Sequence, residues 1–236
     1  MSLPKIDYPI LNLEVPSLNK KYRFRPFLVK EEKLLLMAKE SNQDADIFSA
    51  IKQVVSNCSL DKNLNIDKLA IFDLEYLFIK LRASSVDNNI NVGYRDYEDD
   101  KIYNFDVNLD DVKIIRPEKT DNVIKISENA GMIMEYPPAS LYSDTEFLNT
   151  EKDHLFKLIS RCIKQIYDGE QVYDSKDFSL KDIEEFLENL DVKSFEKVHK
   201  FLLTTPKLEY VINYKNSLGN ERTITLNSLN DFFTWR

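Results

Sequence analysis

The stretch Lys20–Glu40, "KKYRFRPFLVKEEKLLLMAKE", changes its period halfway along. Tyr22 and Phe24 alternate with Arg23 and Arg25, the spacing of a strand with one buried face. Pro26 closes that strand. Behind it, Glu31 and Glu32 suit the first turn of a helix that continues through Leu34, Leu35, Leu36, Met37 and Ala38. Upstream, Ile10, Leu11, Leu13 and Val15 lead into Pro16-Ser17-Leu18-Asn19. Tyr8–Phe27 therefore reads as a β-hairpin, its strands bracketed by Pro9, Pro16 and Pro26.

The same change of period recurs downstream. Ile47, Ile51, Val54 and Val55 predict a second helix, opened by Asp44 or Asp46. A third is expected over Asp67–Ala83. Its apolar arc of Leu69, Phe72, Leu74, Leu77, Phe78 and Leu81 is wide enough to make it central. After Ser84 the period returns to two. Asn91–Tyr97 and Lys101–Leu109 flank the acidic turn Glu98-Asp99-Asp100, and Val112–Ile115 is a short apolar run. Asn122–Ser127 and Met132–Tyr136 flank Glu128–Gly131, with Gly131 expected at a positive φ. This middle third reads as an antiparallel meander.

Pro137-Pro138 ends it. A long helix is expected over Thr145–Tyr167, with Gly169 as its C-cap. Two shorter helices follow, "LKDIEEFLENL" opened by Ser179 and "SFEKVHKFLLT" opened by Asp191 or Ser194 and stopped by Pro206. A last hairpin turns at "NSLGNE", and "NDFFTWR" ends the sequence. The expected class is α+β: antiparallel hairpins and a central β-meander segregated from two groups of α-helices. The expected regions are 1–142, with the first hairpin, helices and meander, and 143–236, with a helical region and the terminal hairpin.

The formal net charge of −8 argues against nucleic-acid binding, whose affinity comes mainly from Lys and Arg neutralising phosphates. No apolar run approaches the ~20 residues of a membrane span. The opening Met1-Ser2-Leu3-Pro4-Lys5 does not have the form of a secretory signal, so cytosolic synthesis is expected. The four glycines, Gly93, Gly131, Gly169 and Gly219, are isolated, and a phosphate-cradling loop needs them clustered. Cys58 and Cys162 read as buried reduced thiols, and His154 and His199 as helix-surface residues.

The acidic runs "DYEDDK" (Asp96–Lys101) and "NLDD" (Asn108–Asp111) have the ligand type that Ca²⁺ or Mg²⁺ prefers. They lack the spacing and the central glycine of a calcium loop and read as solvated turns, with an acidic partner-binding patch or a metal site as the other readings. No catalytic, cofactor-binding or metal residue is assigned. A metal-dependent hydrolase using Asp99, Asp100 or Asp106 is the remote alternative.

Two groups of residues are candidates for partner binding. Arg23 and Arg25 share a strand face and are expected to project outward beside Glu31 and Glu32. They either pair locally or present a planar, bidentate patch to a carboxylate on a partner. Phe232, Phe233 and Trp235, near the C-terminus, either pack in the core or anchor a partner.

Several stretches carry a resemblance. "LPKIDYPI" with "KYRFRPFLVKEEKLLLMAKE", then "VNLDDVKII…IKISENAGMIMEYP" (Val107–Pro137) and "SFEKVHKFLLTTPKLEYVINY…GNERTITLNSLNDFF" (Ser194–Phe233), resemble the baseplate hub assembly protein family of T-even-type tailed bacteriophages. The resemblance implies a non-enzymatic protein without cofactor that binds other phage tail and baseplate hub proteins. It implies no nucleic acid, membrane or small-molecule substrate as partner. It places the protein in the host cytoplasm during assembly and, for a permanent subunit, in the virion tail baseplate. The alternative is a transient assembly chaperone for the hub or tape-measure protein, absent from the mature virion. Similar proteins can carry a Cys-x-x-Cys-Gly knuckle in the last hairpin. Here Lys215 and Leu218 stand at the cysteine places before Gly219, so no zinc-held turn is expected and hairpin packing should hold the turn alone.

Overall fold

The computed structural model describes residues 7–41, 43–117, 121–148 and 153–232. The elements run β1 (Leu11–Val15), β2 (Lys20–Phe24), α1 (Val29–Glu40), α2 (Asp44–Cys58), α3 (Ile71–Ser85), β3 (Asn89–Asp96), β4 (Lys101–Asn108), β5 (Lys113–Ile115), β6 (Val123–Lys125), β7 (Ala130–Met134), α4 (Thr145–Leu148), α5 (His154–Ser160), β8 (Ile163–Asp168), β9 (Gln171–Asp174), α6 (Leu180–Glu188), α7 (Val192–Leu203), β10 (Lys207–Lys215), β11 (Glu221–Leu226) and α8 (Leu229–Phe232). This is an α+β protein of small antiparallel sheets and short helices. Among the described residues no helix is long and apolar enough to cross a membrane.

The opening hairpin forms as its alternation predicts. β1 and β2 pair from Leu11↔Phe24 to Val15↔Lys20, and Asn19 takes the left-handed conformation at φ 48°, which Asn tolerates better than most residues. Val15, Tyr22 and Phe24 are buried. The turn is fastened to α3: the Ser17 amide and hydroxyl both donate to the buried Asp73 carboxylate, at 2.8 and 2.5 Å. α1 lacks a side-chain oxygen at its N-cap, Leu28. Instead the Glu31 carboxylate reaches back to the Leu28 amide at 3.0 Å, half of a capping box. α3 begins four residues later than expected, after a 3₁₀ turn at Ile66–Lys68. Leu74, Leu77, Phe78, Ile79 and Leu81 are all completely buried, as its wide apolar arc requires.

The chain separates into two compact units. The first comprises the described parts of Met1–Ile66, Phe72–Ile115 and Lys207–Arg236; the second comprises those of Asp67–Ile71 and Arg116–Pro206. They do not follow the sequence-order regions 1–142 and 143–236. Two pairings cut across those regions: β6 and β7 join β8 and β9 in one sheet, and β5 pairs with β10, Ile114 opposite Leu208, in a three-stranded sheet ordered β11-β10-β5. The latter pairing draws the last hairpin into the first unit.

The strands of the middle third thus divide among three sheets and do not form one meander. Among the described residues β3 and β4 pair only with each other, and β5 joins the last hairpin. β6 and β7 begin a four-stranded antiparallel sheet, β6-β7-β8-β9, in the second unit. That sheet takes up residues expected to be helical. The helix over Thr145–Tyr167 does not form: α4 and α5 are short, and Ile163–Asp168 is strand β8, paired on both edges. Ile159, Cys162, Ile163 and Ile166 do fall at helical spacing, but so short an apolar run also fits a buried strand. Two neighbouring ladders decide it. Gly169 has φ +60°, as expected, but it is the first loop residue of the β8–β9 hairpin and not a helix cap. α5, α6 and α7 pack with this sheet around Ile124, Met132, Met134, Ile159, Ile183 and Phe201.

Gly131 does not take the positive φ expected of it: it lies inside β7. A Cβ there would overlap the Tyr167 hydroxyl and sit 2.5 Å from the Ile124 carbonyl oxygen. Close approach of neighbouring strands, not turn geometry, demands glycine. Ser179 and Asp191 cap α6 and α7 as expected. Their side chains accept from the Asp182 amide at 3.2 Å and the Ser194 amide at 3.0 Å.

Candidate functional site

The two arginines of the opening stretch do not make a common patch. Arg23 faces outward on β2 and clasps Asp61. Its amide donates to one carboxylate oxygen at 2.7 Å, and its guanidinium donates to the other at 3.0 and 2.7 Å. Arg25 lies beyond the end of β2. There the chain pairs with the segment after α2 through Arg25 amide to Cys58 carbonyl and Leu60 amide to Arg23 carbonyl, both 2.9 Å. That turns the Arg25 side chain inward. Its guanidinium grips Glu31 with two nitrogens, at 3.1 and 2.9 Å, and donates to the Pro26 carbonyl at 3.0 Å. The Glu31 carboxylate is completely buried. Burial pushes its pKa up, but hydrogen bonds from Arg25 and the Leu28 amide outweigh that and hold it below the usual carboxylate value. So the expectation that both arginines project outward holds for Arg23 alone, and its partner is Asp61, not Glu31 or Glu32.

The acidic turn between β3 and β4 is not left to solvent. It is clasped by the turn between β10 and β11. The Tyr214 hydroxyl donates to the buried Asp96 at 2.5 Å, and Arg222 stands 3.4 Å from the same carboxylate. Asn216 and Asn220 each donate to Glu98, at 2.5 and 2.7 Å. The Ser217 amide and hydroxyl donate to Asp99 at 3.0 and 2.8 Å, joined by the Tyr103 hydroxyl at 2.6 Å. The rings of Tyr103 and Phe105 pack on Tyr214 with centroids 5.0 and 5.1 Å away. The last turn is therefore not held by hairpin packing alone: carboxylates from a second hairpin fasten it. Of the other carboxylates considered for metal chemistry, Asp100 pairs with Arg95 and Asp106 accepts from Asn91. Among the described residues no group of three or more His, Cys, Asp or Glu is arranged to hold a metal ion.

The clasp predicts an acid titration. The hydrogen bond from Tyr214 holds the Asp96 carboxyl below its usual range, and that from Tyr103 does the same for Asp99. Groups with depressed folded values stabilise above the unfolded value, about pH 4, and lose that contribution as pH falls through the folded value. The Ser217 amide resonance should therefore hold its position well below about pH 4 and shift only in stronger acid. An NMR titration centred at the ordinary aspartate value would contradict the clasp.

Phe232 is 2% exposed on α8 beside the buried Leu229, so its ring packs inside the chain and offers no face to a partner. Phe233 and Trp235 lie outside the described residues. Cys58 and Cys162 are fully buried, and burial pushes both thiols up to about 12, far from reactive thiolates. His154 packs edge-on against Phe147, ring centroids 4.3 Å apart. Sequence reading missed Asp61 and the Asn216–Ser217–Asn220 donors. A run of amide and hydroxyl residues in one turn and of carboxylates in another was the visible signal, but nothing local says that the two turns meet.

These features define a class: a small-sheet α+β protein in which charged groups fasten turns and helix starts in place. The chain belongs to the family of the T4 bacteriophage base plate protein, which it matches over residues 8–234; it is a phage baseplate protein. Among curated proteins and among solved structures, nothing matches it.

Proposed function

We propose that this baseplate protein is a hub component that binds other tail proteins during baseplate assembly and catalyses no reaction. Family membership supports the setting. The observation that carries the rest is the internal use of its charged chemistry. The carboxylates that might have formed a cation or acid–base site, Asp96, Glu98 and Asp99, are occupied by Tyr214, Asn216, Ser217 and Asn220. What the protein offers outward is apolar side chains on regular elements: Val29 and Met37 on α1, Val172 on β9 and Val192 on α7, each more than half exposed.

Mass spectrometry of purified virions tests the reading. A stoichiometric chain is expected for a subunit that assembles in the host cytoplasm and stays in the tail. A chain required for assembly yet missing from the virion would reassign it as the transient chaperone of the hub or tape-measure protein. Arg23 supplies a second test. Its side chain is 57% exposed, whereas Arg25 is committed to the fold. Arg23→Gln keeps the backbone bond to Asp61 and gives up only an exposed pair, so it should cost little stability while weakening co-purification with hub proteins. Unchanged recovery would remove Arg23 from the interface.

A further inference from the structure

In the second unit α6 does not close completely onto the β6-β7-β8-β9 sheet. Between them lies a groove of about 550 Å³ lined by Ile126, Ile166, Ile183, Tyr173, Phe178 and Phe186. Ile183 is buried, while Tyr173 and Phe178 are 38% and 46% exposed, so the aromatic side of the groove is open. The rings of Tyr173 and Phe178 meet edge to face at 6.1 Å. That contact holds the opening in shape without filling it.

Asp168 and Asp182 line the groove, and no Lys or Arg is among its described lining residues. Lys176 and Lys181 adjoin the lining residues Ser175 and Asp182 in sequence, and Lys176 leans on Asp174 at 3.7 Å. Glu170, exposed in the same turn as Asp168, adds to the negative side. Beside the groove, β9 is the last strand of its sheet: among the described residues nothing pairs with its outer edge. An apolar trough, an acidic mouth and an open strand edge together match a polypeptide segment. The trough takes bulky side chains, the strand edge offers main-chain hydrogen bonds, and the acids attract basic flanks. Phosphate-bearing partners, nucleic acid or anionic membrane, would be repelled by the same acids.

We propose that this groove docks a segment of another tail protein carrying a bulky apolar anchor flanked by Lys or Arg. The proposal rests on the reading of the chain as a binding protein and names the chemistry of one partner.

A labelled synthetic peptide with a Leu-Phe anchor between lysines, followed by fluorescence anisotropy with the full chain, tests it. Two controls carry glutamates for the lysines or alanines for the anchor. The lysine peptide should bind saturably. The glutamate peptide should bind weaker by about tenfold or more, and the alanine peptide should not bind. Phe178→Ala and Asp168→Lys replace exposed residues, so thermal unfolding should be unchanged while each weakens the lysine peptide by about tenfold. Asp168→Lys should also improve binding of the glutamate peptide. Equal binding of both charge versions, or indifference to both variants, would overturn the proposal. So would self-association of the chain that Phe178→Ala removes, since a second copy would then occupy the groove. The broader reading has a separate readout. If hub proteins still co-purify with the Phe178→Ala/Asp168→Lys double variant, the groove assignment fails and the binding reading stands. If deleting the whole protein leaves baseplate assembly intact, the binding reading fails whatever the peptides do.

Discussion

Replacing Arg25 with Met should lower the stability of the chain by about 3 kcal/mol, the cost of stranding a buried charge. Glu31 is completely buried, and two of its contacts come from the Arg25 guanidinium at 3.1 and 2.9 Å. Met keeps the length and apolar stem of Arg but supplies no donor. The Leu28 amide remains, as does Lys30 at 3.7 Å. Lys30 is 66% exposed, and a hydrated ammonium at that distance replaces little of a two-pronged pair. Arg25 itself keeps some contact with water, at 14% exposed, which places the loss near the lower end for buried pairs. Arg25→Lys should also be costly, because an ammonium cannot reproduce the planar fork. Arg25→Met combined with Glu31→Leu should recover a large part of the loss, since it removes the stranded carboxylate with its partner.

Acid should narrow the difference. In the natural chain the Glu31 carboxyl is held below its ordinary value. Its contribution is therefore present above the unfolded value, about pH 4, and fades as pH falls through the folded value. In Arg25→Met the same carboxyl is buried without its cation and its pKa rises. That variant is weakened as pH rises and regains stability as the carboxyl protonates. Urea unfolding at neutral and acid pH measures both effects. Equal midpoints for the two proteins at neutral pH would show that losing Arg25 strands no charge.

Gly131→Ala should cost about 2–3 kcal/mol, an overpacking penalty for a single methyl. The methyl would overlap the Tyr167 hydroxyl on β8 and lie 2.5 Å from the Ile124 carbonyl oxygen on β6. A tyrosine ring can swing away. The carbonyl cannot retreat without disturbing the β6–β7 ladder, in which Lys125 faces Gly131 and Ile124 faces Met132. Gly131→Ala/Tyr167→Phe should therefore recover only part of the loss. Full recovery would assign the whole effect to the hydroxyl. The two units need not unfold together, and the loss should appear in the transition that reports the second unit, where this sheet lies.

Some of this was legible residue by residue. Glu31 suited a helix start, and there it both caps α1 and anchors Arg25. In the sequence Gly169 reads only as the cap of a long helix, because the apolar spacing of Ile159, Cys162, Ile163 and Ile166 fits one. A helix and a strand bury the same side chains there. They differ in where the backbone finds partners, and those partners, β7 and β9, lie outside the run. The groove was hidden for the same reason: with Ile166 and Tyr167 assigned to a helix, no sheet existed for α6 to lean against.

By itself the amino-acid order determined the α+β class, the two terminal hairpins, the helix caps at Ser179 and Asp191, and the two buried thiols. Each depends on period, turn residues or apolarity within a few neighbouring positions. Only the tertiary structure decided that β5 belongs with β10, that Arg23 holds Asp61 while Arg25 turns inward to Glu31, and that the acidic turn closes on the last one. Arg25 and Glu31 are only six residues apart, but the other contacts join segments 38 to 122 residues apart, as in Arg23 to Asp61 and Glu98 to Asn220. A carboxylate is equally satisfied by any donor that reaches it, so its choice is made by the packing that brings one donor within range.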